Sequence, residues 1–284
     1  MRLPSELGAA LPHLRHLTVA GYRNGGHGLE GLLSCRGLRS LALVGVYCSA
    51  LPGLGPLSRL GRLEALSLRG CDQLTDLPLG SRLASLTSLE VRACPALFSL
   101  AGQQPAAAAQ HAALINFVEW AAGRLPGLGE LSNLESLDLS RSSTLRRLPA
   151  GVARLSRLTR LAADGCRLDD CEGAAAGGAL APLLGCGALE ALSLRGVTGV
   201  PAEAALPAGI GNLSRLQVLD IGGSSRFAPL PESVATLPAL RSIVLPRGMT
   251  GPGSPHSHVL ARLQARGGGG ADGGAPGLVV LTEG

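Results

Sequence analysis

The hexad Leu-x-x-Leu-x-Leu, with other aliphatics allowed, recurs nine times in this chain of 284 residues. It starts at Leu14, Leu38, Leu63, Leu86, Leu134, Leu158, Leu189, Leu216 and Leu240, at spacings of 24, 25, 23, 48, 24, 31, 27 and 24 residues. Self-similarity at a nearly fixed period constrains a fold more tightly than any isolated motif, because each unit must pack on a copy of itself. Alternation within the hexad puts its later leucines on one face of a short strand, while the first turns the corner into it. In LESLDLS the reading places Leu137 and Leu139 inward and Ser136, Asp138 and Ser140 outward. No unit can bury its own leucines, so the units must stack. The expected fold is an α/β solenoid, a horseshoe whose concave side is a parallel sheet of about nine to ten short strands. Its convex side is built from loops, 3-10 turns and short helices.

A second pattern fills the space between strands, as in LRRLPAGVARLSRL from Leu145 and FAPLPESVATLPAL from Phe227. Pro149 and Pro231 occupy the same place, as do Pro52, Pro78, Pro126 and Pro207. Proline fixes φ and removes a donor, so it marks a turn on the outer side. The Val-x-x-Leu-x-x-Leu step after it predicts about one helical or 3-10 turn leading into the next strand. Aromatic residues are only 2% of the chain, so the core must be made of Leu, Val and Ala in thin layers. The 41 glycines fit a chain with many turns.

These nine hexads and their Leu-Pro segments resemble the leucine-rich-repeat family over nearly the whole chain. The Leu-Pro-x-x-Val type is similar to the intracellular Ras-group and plant disease-resistance repeats. LRGCDQLTDLP also resembles the cysteine-containing repeats of F-box and immune-receptor proteins. The resemblance implies a ladder of Asn or Cys, three residues after the last strand leucine, that hydrogen-bonds backbone in the loop. Here the ladder position holds Tyr22, Val46, Cys71, Cys94, Ser142, Cys166, Val197, Ser224 and Gly248, so only three residues match. Those three cysteines are expected to be buried, reduced and structural.

The chain reads as one solenoid over 1–284, with departures. Residues 101–124 predict an inserted helix, with a degenerate repeat or a low-complexity loop as the alternatives: Pro105 suits its first turn, Gly123 its end, and Leu114, Phe117, Val118 and Ala121 share a face. Phe117 and Trp120 in this insert are a candidate protein-binding pair, with packing against the solenoid flank as the plainer reading. Residues 167–184 read as a longer Ala/Gly-rich loop. The segment 251–284 is atypical: Ser257 to Arg266 allows a short helix, a Gly-rich linker follows, and GLVVL suits a last strand.

Several chemistries are argued against by residue type. No lysine occurs, all 25 basic residues being Arg, so a GxxxxGK[ST] phosphate loop cannot be written. HExxH and paired CxxC motifs do not occur, and the six histidines are scattered apart from His256 and His258, so no metal site and no cofactor are expected. Acids around Cys171 in DDCEG oppose thiolate formation, against a nucleophilic role. Asn212-Leu213-Ser214 is a formal glycosylation sequon that falls on a repeat position. The charge of +5 is spread along the chain, many arginines lying in Ser-Arg-Leu triplets, which reads as solvated coil positions rather than a nucleic-acid surface. No run of 18 apolar residues suggests membrane insertion, and the first residues lack the apolar stretch of a signal peptide. Seven cysteines without paired clusters favour a reducing compartment. The localisation expected is cytoplasmic, with a cytoskeletal or ciliary setting as the alternative.

Function is then expected on the solvent side of the strands, the usual binding surface of a solenoid. Small residues dominate there: Ser40, Ala42, Ser67, Ser88, Ser136, Ala162 and Ser193. Standing among them are Arg69, Glu90, Arg92, Asp138, Arg160, Asp164, Arg195 and Asp220, the candidate protein-binding residues. The expected role is a non-catalytic protein-interaction scaffold, with protein partners and no small-molecule substrate. Two alternatives stand beside it. One is the recognition part of a larger immune or signalling receptor. The other is the regulatory part of an enzyme; the chain opens inside a repeat without a polar cap, consistent with a longer protein.

Overall fold

In the computed structural model, residues 3, 6–23, 30–47, 57, 60–74, 77, 83–98, 128–169, 178–199, 206–224, 227, 230–247, 257–267 and 279–282 are described. Ten strands form one parallel sheet in strict chain order. They are β1 (His16–Ala20), β2 (Ser40–Val44), β3 (Ala65–Arg69), β4 (Ser88–Arg92), β5 (Ser136–Asp138), β6 (Arg160–Ala162), β7 (Ala191–Ser193), β8 (Val218–Asp220), β9 (Ser242–Leu245) and β10 (Val279–Thr282). Each of the first nine begins two residues after the leading leucine of a hexad. That leucine is the corner residue: Leu38, Leu63, Leu86, Leu134, Leu158, Leu189 and Leu216 are fully buried.

Neighbouring strands pair without slip, so equivalent residues form continuous rows: Leu41, Leu66, Leu89, Leu137, Leu161, Leu192, Leu219 and Ile243 face the core side by side. A one-residue slip would turn this row to solvent, and burying one leucine is worth about 1.5–3 kcal/mol, so the register is firmly set. β4 pairs directly with β5, Ser88 against Ser136, across the 48-residue spacing. The predicted insert at 101–124, with Phe117 and Trp120, lies outside the described residues.

The outer side is made largely of 3-10 turns, at Ala150–Arg154, Ala208–Asn212 and Glu232–Thr236 among others. Pro149, Pro207 and Pro231 precede these three turns, with φ of −57°, −58° and −64°. The following Val152, Ile210 and Val234 plug the core. Part of the stretch expected to be loop is also of this kind: Gly178–Gly185 is a 3-10 helix that buries Leu180 and Leu183. Among the described residues two α-helices lie near the ends, α1 (Leu7–Ala10) and α2 (Ser257–Gly267). α2 buries Val259, Leu260 and Leu263, and its His258 and Arg262 approach Glu232 at 3.5 and 3.6 Å.

The ladder is fuller than the three cysteines suggest. Cys71, Cys94 and Cys166 donate to the carbonyls of Leu43, Leu68 and Leu139, each the last core residue of the preceding strand segment. Ser142 and Ser224 do the same to Val91 and Leu194, at 3.4 and 2.6 Å. Ser224 Oγ also accepts from Val197 N at 2.8 Å. A buried hydroxyl therefore substitutes for Asn or Cys, whereas Val46 and Val197 fill the position with apolar volume. Cys35, Cys71, Cys94, Cys166 and Cys186 are buried free thiols.

One outward assignment is corrected. Ser140 is 1% exposed and does not face solvent. The strand ends at Asp138, whose Oδ1 accepts from Ser140 N at 2.9 Å and turns the chain out of the alternation. Ser140 Oγ then accepts from Asp164 N of the next coil.

Candidate functional site

On the concave side the rows of the sheet place the charged residues in two lines. The middle outward row runs Ser67, Glu90, Asp138, Ala162, Ser193, Asp220 from β3 to β8. At the strand ends, Arg69 stands beside Arg92 in register. Asp164 and Arg195 lie two residues beyond the ends of β6 and β7. Arg160 stands at the start of β6, between Ser136 and Ala191.

A single diagonal contact repeats along this face, from the end of one strand to the middle of the next. Arg69 grips Glu90 with two bonds, Nε to Oε1 and Nη2 to Oε2, both 2.7 Å. Arg92 reaches Asp138, Nε to Oδ2, at 3.6 Å and also lies 3.6 Å from Glu90. Arg195 Nη1 donates to Asp220 Oδ2 at 3.2 Å. Between β6 and β7 the polarity is reversed: Ser193 Oγ donates to Asp164 Oδ1 at 2.6 Å, and Arg195 N donates to the same oxygen. The fork of a guanidinium fits a carboxylate edge, so the Arg69–Glu90 pair has the geometry of the stronger class of ion pair.

The acids lie lower than the arginines. Side-chain exposure is 16% for Glu90, 28% for Asp138 and 18% for Asp220, against 56% for Arg69 and 48% for Arg195. Burial opposes ionisation of Glu90, but hydrogen bonds from Arg69 and Ser67 and the charges of Arg69 and Arg92 outweigh it, holding its carboxyl below the usual range. Glu90 and Asp138 are directly opposed across β4 and β5, and Arg92 between them relieves that repulsion.

A second charged cluster was not singled out in the sequence. Asp169, its side chain 11% exposed, accepts from Arg146 Nε and Arg167 Nε, both at 2.6 Å. Burial opposes its ionisation and the two arginines prevail, so its carboxyl is also held low. It joins two successive coils, and only the spacing between Arg146 and Asp169, 23 residues or about one period, could have suggested it.

Among the described residues no three His, Cys, Asp or Glu side chains converge in a way that would hold a metal ion. No helix of the described residues is long and apolar enough to cross a membrane.

No family model and no curated protein matches the sequence. Solved structures do. The leucine-rich-repeat domain of the type III effector XopL aligns with a TM-score of 0.53 at 22% identity, over 84% of this chain and 70% of that one. A leucine-rich-repeat protein of Leptospira interrogans aligns at 0.45 and 16% identity, over 85% of this chain, which spans 57% of that protein's length. Internalin C2 of Listeria monocytogenes aligns at 0.42 and 18% identity, over 75% of this chain and 76% of its own. At such identities the likeness concerns the fold, and of these three the XopL domain carries it. Together with ten in-order parallel strands, corner leucines and a polar ladder, it shows that this chain has the leucine-rich-repeat fold.

Proposed function

We propose that the chain is a non-catalytic protein-binding module whose partners dock on the concave face. The site comprises Arg69, Glu90, Arg92, Asp138, Arg160, Asp164, Arg195 and Asp220. The observation that carries this reading is the repeated diagonal contact. It holds charged side chains in fixed positions above a floor of Ser and Ala, so a partner meets groups already ordered and loses less entropy on binding. Small floor residues leave room for a segment of another chain to lie against the sheet.

The Leu-Pro turns favour the Ras-group or plant disease-resistance type within the family, since three of the prolines set the entry of a 3-10 turn. Buried free thiols favour a reducing, cytoplasmic setting. A signalling role follows from that type and stands or falls with it.

The test is affinity capture with the whole chain, comparing wild type with Arg69→Glu combined with Arg92→Glu. Partners seen with wild type are expected to be lost from the variant, with circular dichroism unchanged because both side chains point to solvent. Capture should also weaken as salt rises. The competing site is Phe117 with Trp120. If Phe117→Ala combined with Trp120→Ala loses the partners while the arginine variant keeps them, the concave assignment is wrong.

A further inference from the structure

The concave face carries four arginines and four acids, so its formal charge does not say which sign a partner meets. The hydrogen bonds do. Glu90 accepts from Ser67 Oγ at Oε2 and from Arg69 at both oxygens. Asp138 accepts from Ser140 N, Asp164 from Ser193 Oγ and Arg195 N, and Asp220 from Gly222 N and Arg195. The acids are thus engaged by the protein itself and lie low in the face. A guanidinium has five N–H donors. The grip on Glu90 engages two of those of Arg69, leaving an outer edge in solvent. Arg92 stands 3.6 Å from both of its acids, too far for a direct hydrogen bond with either. Arg160 is exposed and, among the described residues, has no ion-pair partner.

We infer that the segment seated across β3 to β6 is acidic, an extended stretch of another protein whose carboxylates meet the outer edges of Arg69, Arg92 and Arg160. This rests on the concave-face reading and adds the chemistry of the partner. Charge complementarity selects this occupant: a basic segment would find each acid already hydrogen-bonded by the protein at one or both oxygens and would face the arginines first. From Arg69 at the end of β3 to Arg160 at the start of β6 is three strand spacings across and four residues along, on the order of 20 Å, which an extended chain covers in about six residues. Alternate carboxylates about 7 Å apart along such a chain suit arginines on rungs about 4.8 Å apart when the segment crosses the strands obliquely.

The test uses three fluorescein-labelled twelve-residue peptides, alternating Glu-Ser, Gln-Ser and Arg-Ser, titrated against the whole chain by anisotropy at low salt. Glu-Ser is expected to bind saturably, Gln-Ser and Arg-Ser not. Arg69→Gln combined with Arg92→Gln should weaken Glu-Ser by about tenfold, as for two partly exposed charge-assisted contacts. Arg154→Gln combined with Arg157→Gln, on the convex side, should leave it unchanged. Absence of Glu-Ser binding overturns the inference. Arg-Ser binding that is lost in Glu90→Gln combined with Asp138→Asn overturns the sign and keeps the concave face. Glu-Ser binding that depends on Arg154 and Arg157 instead overturns both.

Discussion

Two residues sit in a backbone conformation that their neighbours in the stack assign to glycine. After each of the first eight strands the chain turns through a left-handed residue: Gly21, Gly45, Gly70, Gly165, Gly196 and Gly223 have φ between 58° and 68°. The equivalent residues in the fourth and fifth coils are Ala93 and Arg141, with φ of 51° and 61°. A Cβ there costs about 1 kcal/mol. Ala93→Gly and Arg141→Gly should therefore each raise stability by a few tenths to about 1 kcal/mol, despite the added freedom of the unfolded chain. Urea unfolding checks this, and a lower midpoint for both variants would refute the strain. The ladder gives a second test at this scale. Removing the hydroxyl in Ser224→Ala leaves Leu194 O and Val197 N without their partner and should cost about 1–3 kcal/mol. Thiol reactivity gives a third. Burial pushes Cys166 and Cys186 up to about 11. Both thiols are also fully enclosed in the core. In the native protein Cys166 and Cys186 should therefore alkylate slowly at pH 8 and readily after denaturation. Rapid labelling of either in the native protein would contradict this.

A single strand shows what the repeat requires of an element. β5 has three residues, and its Leu137 is enclosed by Leu89 and Leu161 on either side. A carboxylate placed there has no partner and cannot relax to solvent, so Leu137→Asp should cost at least about 3–5 kcal/mol and unfold the flanking coils with it. Ser136→Asp, one residue earlier and outward, should change stability by less than about 1 kcal/mol. Thermal unfolding of the pair reads the register directly, and equal midpoints would mean that the two faces have been exchanged. Such strands are legible in sequence because alternation and the corner leucine are independent signals that agree. Where a strand ends is less legible. Asp138 and Ser140 alternate correctly on paper, but a backbone bond to Asp138 Oδ1 stops the strand and folds Ser140 inward. The ladder serines are hidden for a related reason. Serine is frequent at every position of these coils, so nothing in Ser142 or Ser224 marks it as buried.

The molecule as a whole is a stack in which each coil is completed by the next. Two properties of the stack exceed what the sequence states. One is the pairing of β4 with β5 across 48 residues, and of β6 with β7 across 31, which only the sheet reveals. The other is the diagonal between coils. That Arg69 and Arg92 stand side by side follows from the period, but that each leans toward the acid of the following strand depends on register and side-chain reach together. The eight concave residues are legible as outward positions. Their division into low-lying acids and raised arginines is not, because it arises from hydrogen bonds to Ser67, Ser193 and the backbones of Ser140, Arg195 and Gly222.

Under the proposed function partners dock on this face. The most direct measurement replaces Ala162, in the middle outward row, or Arg154, on the convex side, with a photo-crosslinking amino acid. After irradiation in extract, crosslinked partners are identified by mass. Discrete crosslinks are expected from position 162, suppressed by Arg69→Glu combined with Arg92→Glu, with none of the same proteins from position 154. The same partners crosslinked from position 154 and not from 162 would contradict it.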